Sequence, residues 1–597
     1  MSDTSRSRSV TTRHAGAHTA RQPAPPPAHP PTTHPPTPKA PTTAPPSAAQ
    51  SGHVPVAPAA TAAVPPRASA RVGDLGGLVQ ATLPLLCDWL PRQRWFAGKG
   101  HPVTAIVPAA VTLLPGVSPG DPLLLHLLLR VEQRDLDGST GSDLYQLLLG
   151  AAPGPAPARL DTEAARAAVI GRINGGPHDG LLTYDAAYDE PLTLRLLGLL
   201  TTGGPGGAQV GPLRFSNLVS PGGSGARDSA ARVGTAEQSN TSIVFGDSSI
   251  LKLFRRVSPG LNPDLELSLA LSRAGSNRVP ATLAWFESEL PVLPEADREA
   301  AAGTGTETGT GTEQPGPGSQ LATLGLLQRY LSGGRDGWEF ALTHVRALRE
   351  DQPSEDLRQS AGDGAEIDLT PGNFSAESFL LGRCTAEVHL ALARALPVSI
   401  LGQDDIEALA GSMALRLDAA ALVAPALKPY QQQLHAIFRE LAESARDGRR
   451  LRAQRIHGDL HLGQSMRTAR GWVLLDFEGE PAKPLVERRR PQPAVRDVAA
   501  MLRSFDYAAA HLLTEVPEDD PQHSRLAALA ASWAARNREA FLAGYAAAGA
   551  EDPTADPVLL HALETDKAVY EVVYESRNRP DWLPIPMSAI ARLAGSS

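Results

Sequence analysis

The chain has 597 residues, a formal net charge of -9, 42% hydrophobic residues and 20% charged ones. That length offers about 3 to 5 domain-sized units and ample material for a core. Two cysteines, Cys87 and Cys384, exclude a disulfide framework and a thiolate zinc site, while the acidic balance argues against a general nucleic-acid coat.

No apolar run approaches the roughly 20 residues of a membrane span, and no early apolar stretch would serve as a signal peptide. A reducing, cytoplasmic setting is the expectation. Six lysines stand against 49 arginines, which makes each lysine a candidate for chemistry.

Residues 1–73 are rich in Pro, Ala and Thr and hold almost no large apolar side chains. They read as a disordered tail, and their proline density breaks the amphipathic helix that a transit peptide needs. Leu83, Leu85, Leu86, Trp89 and Leu90 predict a short helix ending at Pro91. The runs 122–131 and 143–149 follow in a strand-rich small domain. Flexible connections are expected at 221–228 and at 300–318, the latter built on a Thr-Gly repeat. From Ser375 helices dominate, over 375–396, 422–445 and 526–548. No fixed-period repeat supports a solenoid. Gly98-Lys99 lacks the following Ser or Thr of a phosphate-binding Walker loop, and no glycine spacing fits a dinucleotide fold.

The chemistry concentrates in Arg455-Ile456-His457-Gly458-Asp459-Leu460-His461-Leu462-Gly463-Gln464. A short apolar strand, 472–475, follows, and then Asp476-Phe477-Glu478-Gly479-Glu480. Either acid alone reads as a turn cap or a strand end. Phosphoryl transfer, however, needs a carboxylate beside the acceptor hydroxyl and oxygen ligands for Mg2+. An Asp, an amide five residues on and a second Asp 17 residues on supply that set.

These residues resemble the catalytic segment of kinases of the aminoglycoside phosphotransferase type, which share the two-lobed architecture of protein kinases. The resemblance implies that Asp459 is the catalytic base, that Asp476 binds Mg2+, and that Gln464 stands where the family has a metal-binding Asn. It also requires an upstream small lobe with a lysine for the nucleotide phosphates. The strand-turn-strand segment 237–254 offers Lys252, although an edge-strand lysine that deters aggregation would look the same. Glu266, on the amphipathic segment 263–274, is the expected ion-pair partner of Lys252. Ser239, Asn240, Thr241 and Ser242 offer donors to phosphate as a polar turn. Gln328 and Tyr330, in the segment 326–331, sit where a linker backbone would bind adenine.

A narrower resemblance is to maltokinases. It is carried by 93–100 (Gln-Arg-Trp-Phe-Ala-Gly-Lys-Gly), Asp336-Gly337-Trp338, the extension 476–485, the helix 496–507 and the segment 570–584, and it spans residues 80 to 595. It implies ATP-dependent phosphorylation of maltose at the anomeric hydroxyl, feeding α-glucan synthesis, and a neighbouring enzyme that interconverts trehalose and maltose as a partner. The expected fold is α+β and bilobal: a cap over 80–200, a nucleotide-binding lobe over 201–330 and a helical lobe over 331–597.

Sugars are held by aromatic platforms edged with polar groups, so Tyr574, Glu575, Arg577, Asn578 and Trp582 form the candidate sugar cluster, although aromatics at helical spacing also serve as core. Arg488-Arg489-Arg490 reads as a solvated loop. Two alternatives stay open: a kinase of glucosamine or an aminoglycoside, and an inactive kinase-fold scaffold.

Overall fold

The computed structural model describes residues 74–595 apart from 117–120, 135–138, 155–156, 158–159, 161, 203–206, 219–229, 235–238, 291–320, 350–372, 447, 481–482, 515 and 518. The expected tail and the connections 221–228 and 300–318 therefore lie outside the described residues.

The first helix, Leu75–Trp89, starts five residues before the expected cap boundary because the Asp74 side chain caps it, accepting from the Gly77 amide at 2.8 Å. It packs on an antiparallel sheet of β1 (Val103–Leu113), β2 (Leu123–Arg134), β3 (Thr140–Ala152), β4 (Val169–Arg172) and β5 (Leu182–Asp185), ordered β1-β2-β3-β5-β4. The leucine runs of β2 and β3 are buried on both faces, and period two divides them. Leu125, Leu127, Leu129, Leu147 and Leu149 join Leu78, Leu86 and Trp89 of the helix. Leu124, Leu128 and Leu148 join Phe215, Ile243, Leu251 and Phe286 of the next sheet.

That second sheet is the small lobe. It comprises β6 (Ala208–Val210), β7 (Leu213–Asn217), β8 (Ala231–Val233), β9 (Asn240–Phe245), β10 (Ser249–Phe254), β12 (Thr282–Glu289) and β13 (Leu321–Arg329), ordered β6-β7-β12-β13-β10-β9-β8, while β11 (Arg256–Val257) pairs back onto β3 of the cap. Cap and small lobe are thus stitched together just after β10. The buried Arg255 guanidinium meets Asp185 at 2.6 Å, lies 4.7 Å over the Trp95 ring and donates to Thr241 Oγ1 at 2.8 Å.

The remaining described chain is mostly helical. One core gathers Leu381, Trp472, Val498, Phe505 and Trp533; a second gathers Ile406, Leu417, Leu441, Leu563 and Ile590. The expected helix over 422–445 is two elements. Helix Gln403–Val423 ends, Pro425 and Pro429 impose a turn over Pro425–Tyr430, and helix Gln431–Ala445 restarts. Two short sheets complete the lobe: β14 (Arg335–Asp336), β17 (Ser465–Thr468) and β18 (Gly471–Leu474), and the pair β15 (Ser399–Leu401) with β16 (Leu451–Ala453). No described helix is long and apolar enough to cross a membrane.

Candidate active site

Four segments converge where the small lobe meets the helical lobe: β10, helix Pro263–Arg273, the loop 455–464 and the segment 476–480. β10 lies between β9 and β13, so Lys252 faces Ser242 and Leu326 and is 8% exposed. Its ammonium lies 2.9 Å from Asp264, 2.9 Å from Asp476 and 3.8 Å from Glu478. The expected partner Glu266 is elsewhere, 2.7 Å from Arg455 and 3.3 Å from Arg489. A helix advances 100° per residue, so acids two positions apart face nearly opposite sides. Asp264 turns to the lysine and Glu266 to the seam between the lobes.

The loop bearing Asp459 is pinned from beneath. Asp497, 1% exposed on helix Val495–Thr514, accepts the His457 amide at 2.7 Å, the Gly458 amide at 2.9 Å and His389 Nε2 at 3.0 Å. Burial alone would raise this carboxyl. The hydrogen bond and charge of His389, the charge of His457 and the Gly458 amide outweigh burial and hold it below the ordinary carboxylate range. The His457 ring braces the second segment through Leu475 O at 2.7 Å.

Asp476 follows β18 with φ 60°, the one non-glycine in the left-handed region among the described residues. Asp tolerates that conformation better than most residues, and it turns the carboxylate back toward Lys252. Gln464 Nε2 donates to Asp476 Oδ2 at 3.4 Å. Burial would raise Asp476, but Lys252, His457 and Gln464 together hold it low.

Ligand oxygens of Asp264, Asp476 and Glu478 lie within 4.8 Å of one another. Burial and the adjoining Asp476 charge push Glu478 up to about 8, against the pull of Lys252. Hard oxygen donors crowded until one holds its proton suit a divalent cation such as Mg2+. Asp264 is already committed to Lys252, to Ser268 Oγ at 3.2 Å and to the Phe477 amide at 3.1 Å. Asp476 and Glu478 are the freer donors.

Asn240, Thr241 and Ser242 form strand β9 rather than a turn, because their backbone pairs with β10. Thr241 is engaged by Arg255, and Asn240 Nδ2 donates to Glu478 Oε1 at 2.6 Å. Residues 235–238, including Glu237 and Gln238 of the expected hairpin, lie outside the described residues, and Ser239, which follows them, is exposed. Gln328 Nε2 donates to Ser268 Oγ at 3.2 Å, so its side chain supports the helix of Asp264. Tyr330 leaves β13 with its hydroxyl accepting from Arg232 at 3.2 Å.

Beside Asp459 stands a group that the motif did not reveal. Lys567, on helix Pro557–Asn578, lies 3.5 Å from Asp459, 3.6 Å from Glu480 and 4.9 Å from the Tyr570 ring centre. Burial would lower this lysine, but Asp459, Glu480 and Glu571 more than offset it and keep it charged. Rarity was the sole signal for it, as it is one of six lysines.

Of the expected sugar cluster, Tyr574, Glu575 and Trp582 gather around Arg579, whose guanidinium lies 5.5 Å from the Tyr574 ring centre and 4.5 Å from that of Trp582, and the others are engaged elsewhere. Glu575 is 1% exposed and engaged by Tyr507 at 3.2 Å and Arg579 at 2.7 Å, inside the helix packing. Asn578 caps back to Tyr574 O at 2.9 Å, and Trp582 packs 5.5 Å from His511. Arg577 lines a separate cavity with Arg416, Asp566 and Tyr570. Tyr574, stacked 6.3 Å from Tyr570, is the member that adjoins Lys567.

Residues 89–189 match the family described as the maltokinase N-terminal cap domain. A glucosamine kinase from Streptacidiphilus jiangxiensis is 28% identical over 362 residues, covering 59% of this chain and 70% of that protein. One from Mycolicibacterium smegmatis is 26% identical over 368 residues, covering 60% and 78%. Among solved structures, a glucosamine kinase in complex with glucosamine, ADP and inorganic phosphate superposes with TM-score 0.53 at 20% identity, covering 85% of this chain and 98% of that one. A second crystal form of glucosamine kinase gives 0.55 at 20%, covering 86% and 99%. The cap, the two-lobed fold and these kinase relatives together indicate an aminoglycoside phosphotransferase-like kinase.

Proposed function

We propose that the chain transfers the γ-phosphoryl group of ATP to the anomeric hydroxyl of a neutral sugar, with maltose as the acceptor. The observation that carries the acceptor class is the Lys567 ammonium, 3.5 Å from Asp459, with both side chains partly exposed. A fixed ammonium there donates to sugar hydroxyls and repels an acceptor amine. Tyr570 and Tyr574 beside it offer ring faces to a pyranose, and the match of 89–189 to a maltokinase cap supports the same choice.

In this reading Asp459 orients the acceptor hydroxyl and accepts its proton. Lys252, steadied by Asp264, holds the nucleotide phosphates. Asp476 and Glu478, with the Gln464 amide adjacent, would hold Mg2+, which supplies charge neutralisation on the phosphate oxygens. Positioning and electrostatics account for most of the rate. The opposing reading is glucosamine, the substrate in the names of the relatives, and the carboxylates Glu480 and Glu571 near Lys567 favour it.

The test is purified chain with ATP and Mg2+ against maltose, glucose, glucosamine and an aminoglycoside, following ADP release and locating the phosphate by phosphorus NMR. Maltose-dependent turnover with phosphate on the anomeric carbon is expected. Turnover of glucosamine in preference to maltose overturns the acceptor, and turnover of none of the panel favours a scaffold.

A further inference from the structure

Several polar contacts tie the two lobes near this site, the Phe477 amide on Asp264 at 3.1 Å among them, and three sets pair side chains across it. Lys252 meets Asp476 at 2.9 Å, and Asn240 meets Glu478 at 2.6 Å; on the proposed function, nucleotide phosphates and a metal would claim all four of these groups. The third set is different. Glu266, in the first turn of helix Pro263–Arg273, accepts from Arg455 Nη2 at 2.7 Å and from Arg489 Nη2 at 3.3 Å. Neither ligand needs these three residues.

Arg455 is 6% exposed and Glu266 17% exposed at the side chain, so solvent screens their pair only weakly. Arg455 also donates from Nη1 to Arg488 O at 2.8 Å, which fixes its guanidinium from two sides. It lies four residues before Asp459, and Glu266 lies two residues after Asp264, the partner of Lys252. One ion pair therefore joins the helix that steadies the phosphate lysine to the loop that carries the base. Its place at a helix N-terminus favours the carboxylate further. Arg488 and Arg489 are accordingly folded inward and only Arg490 is exposed, a correction to the solvated loop expected from the sequence.

We infer that Glu266 and Arg455 are positioning residues, forming the pivot that keeps Lys252 and Asp459 in register when nucleotide and metal displace the Lys252–Asp476 and Asn240–Glu478 contacts. The inference rests on the kinase reading of the same site. It requires a helix position to act on catalysis without touching substrate.

The test uses full-length Glu266→Gln, Arg455→Lys and the double variant. The measurements are kcat and KM for ATP and for whichever sugar the wild type turns over fastest, Kd for ADP, thermal melting, and amide hydrogen exchange over 455–464 with ADP and Mg2+ present. Each single variant should lower kcat at least about 10-fold while KM and the ADP Kd stay within about threefold. The double variant should be no worse than the poorer single one, and exchange over 455–464 should quicken. Either of two results would sink the inference: kcat within twofold of wild type in both singles, or losses that multiply in the double variant. A wild type that phosphorylates no sugar overturns the proposed function instead, and unchanged exchange over 455–464 would then reject the pivot by itself.

Discussion

Replacing Lys567 by Met separates the two acceptor readings most sharply. Methionine keeps an unbranched side chain against the Tyr570 ring and removes only the ammonium that lies 3.5 Å from Asp459 and 3.6 Å from Glu480. Glu480 retains Lys483 at 2.5 Å, so no buried carboxylate loses all its partners. For a neutral sugar the loss is one charged hydrogen-bond donor, about 1.5 to 3 kcal/mol, hence about 10- to 150-fold in kcat/KM. For an amino sugar the sign reverses: two ammonium groups about 5 Å apart at an effective dielectric of about 20 repel by about 3 kcal/mol, and Met relieves that. The ratio of glucosamine to maltose kcat/KM should therefore rise at least about tenfold in Lys567→Met. Steady-state ADP release with each acceptor reads it. Equal losses for the two sugars, or maltose kcat/KM within threefold of wild type, would refute the placement of Lys567 in the acceptor site.

Asp459→Asn should lower kcat at least about 100-fold with an unchanged melting temperature; a variant within twofold of wild type removes Asp459 as the base. Asp497→Asn replaces an acceptor of two backbone amides by a side chain whose single oxygen can accept from only one of them, leaving the other buried amide facing an NH2 donor and unpaired at about 1 to 3 kcal/mol of stability, read by urea unfolding. The pH dependence follows from the depressed Asp497 carboxyl. Its contribution is full above the unfolded value of about 4 and is lost as pH falls below that toward the folded value. The acid limb of wild-type stability should accordingly flatten in Asp497→Asn, and identical limbs would refute the assignment. Arg255→Met leaves Asp185 buried and uncompensated where cap meets small lobe, so it should destabilise by about 3 to 5 kcal/mol; melting unchanged within a degree would contradict the clamp.

What the sequence revealed and what it withheld divide along contact range. Asp459, Gln464 and Asp476 stand within 17 residues around one strand, so local spacing is enough to nominate them. Lys252 alternates out of an apolar strand and was legible for the same reason. The choice between Asp264 and Glu266 was not, because both acids occupy the first turn of one helix and only the packing of its two sides decides which meets the lysine. The sugar cluster was legible only as composition: Tyr574, Glu575 and Trp582 do gather, but around Arg579, which spacing alone did not single out. Lys567 stands 108 residues after Asp459 with no pattern to join them, and a contact of that range is written only in the tertiary fold.

The use of lysine nevertheless carries information that spacing lacks. Arginine performs the structural pairings: Arg255 with Asp185, Arg416 with Asp566, and Arg503 with Glu571 and Asp506. A planar fork of fixed donors suits a bidentate carboxylate. Lys252 and Lys567 each sit among several carboxylates, as Arg503 and Arg538 do, and Lys483 shares Glu480 with Lys567. A compact ammonium on a flexible stem fits such crowded points and can turn from a carboxylate to a phosphate or a hydroxyl, which a guanidinium held at both ends does not do readily. Lys99 and Lys428 are exposed and Lys39 lies outside the described residues. In a chain this poor in lysine, Lys252 and Lys567 are, on the proposed function, where charge is shared with a ligand, and they converge from both lobes on the carboxylates of one site.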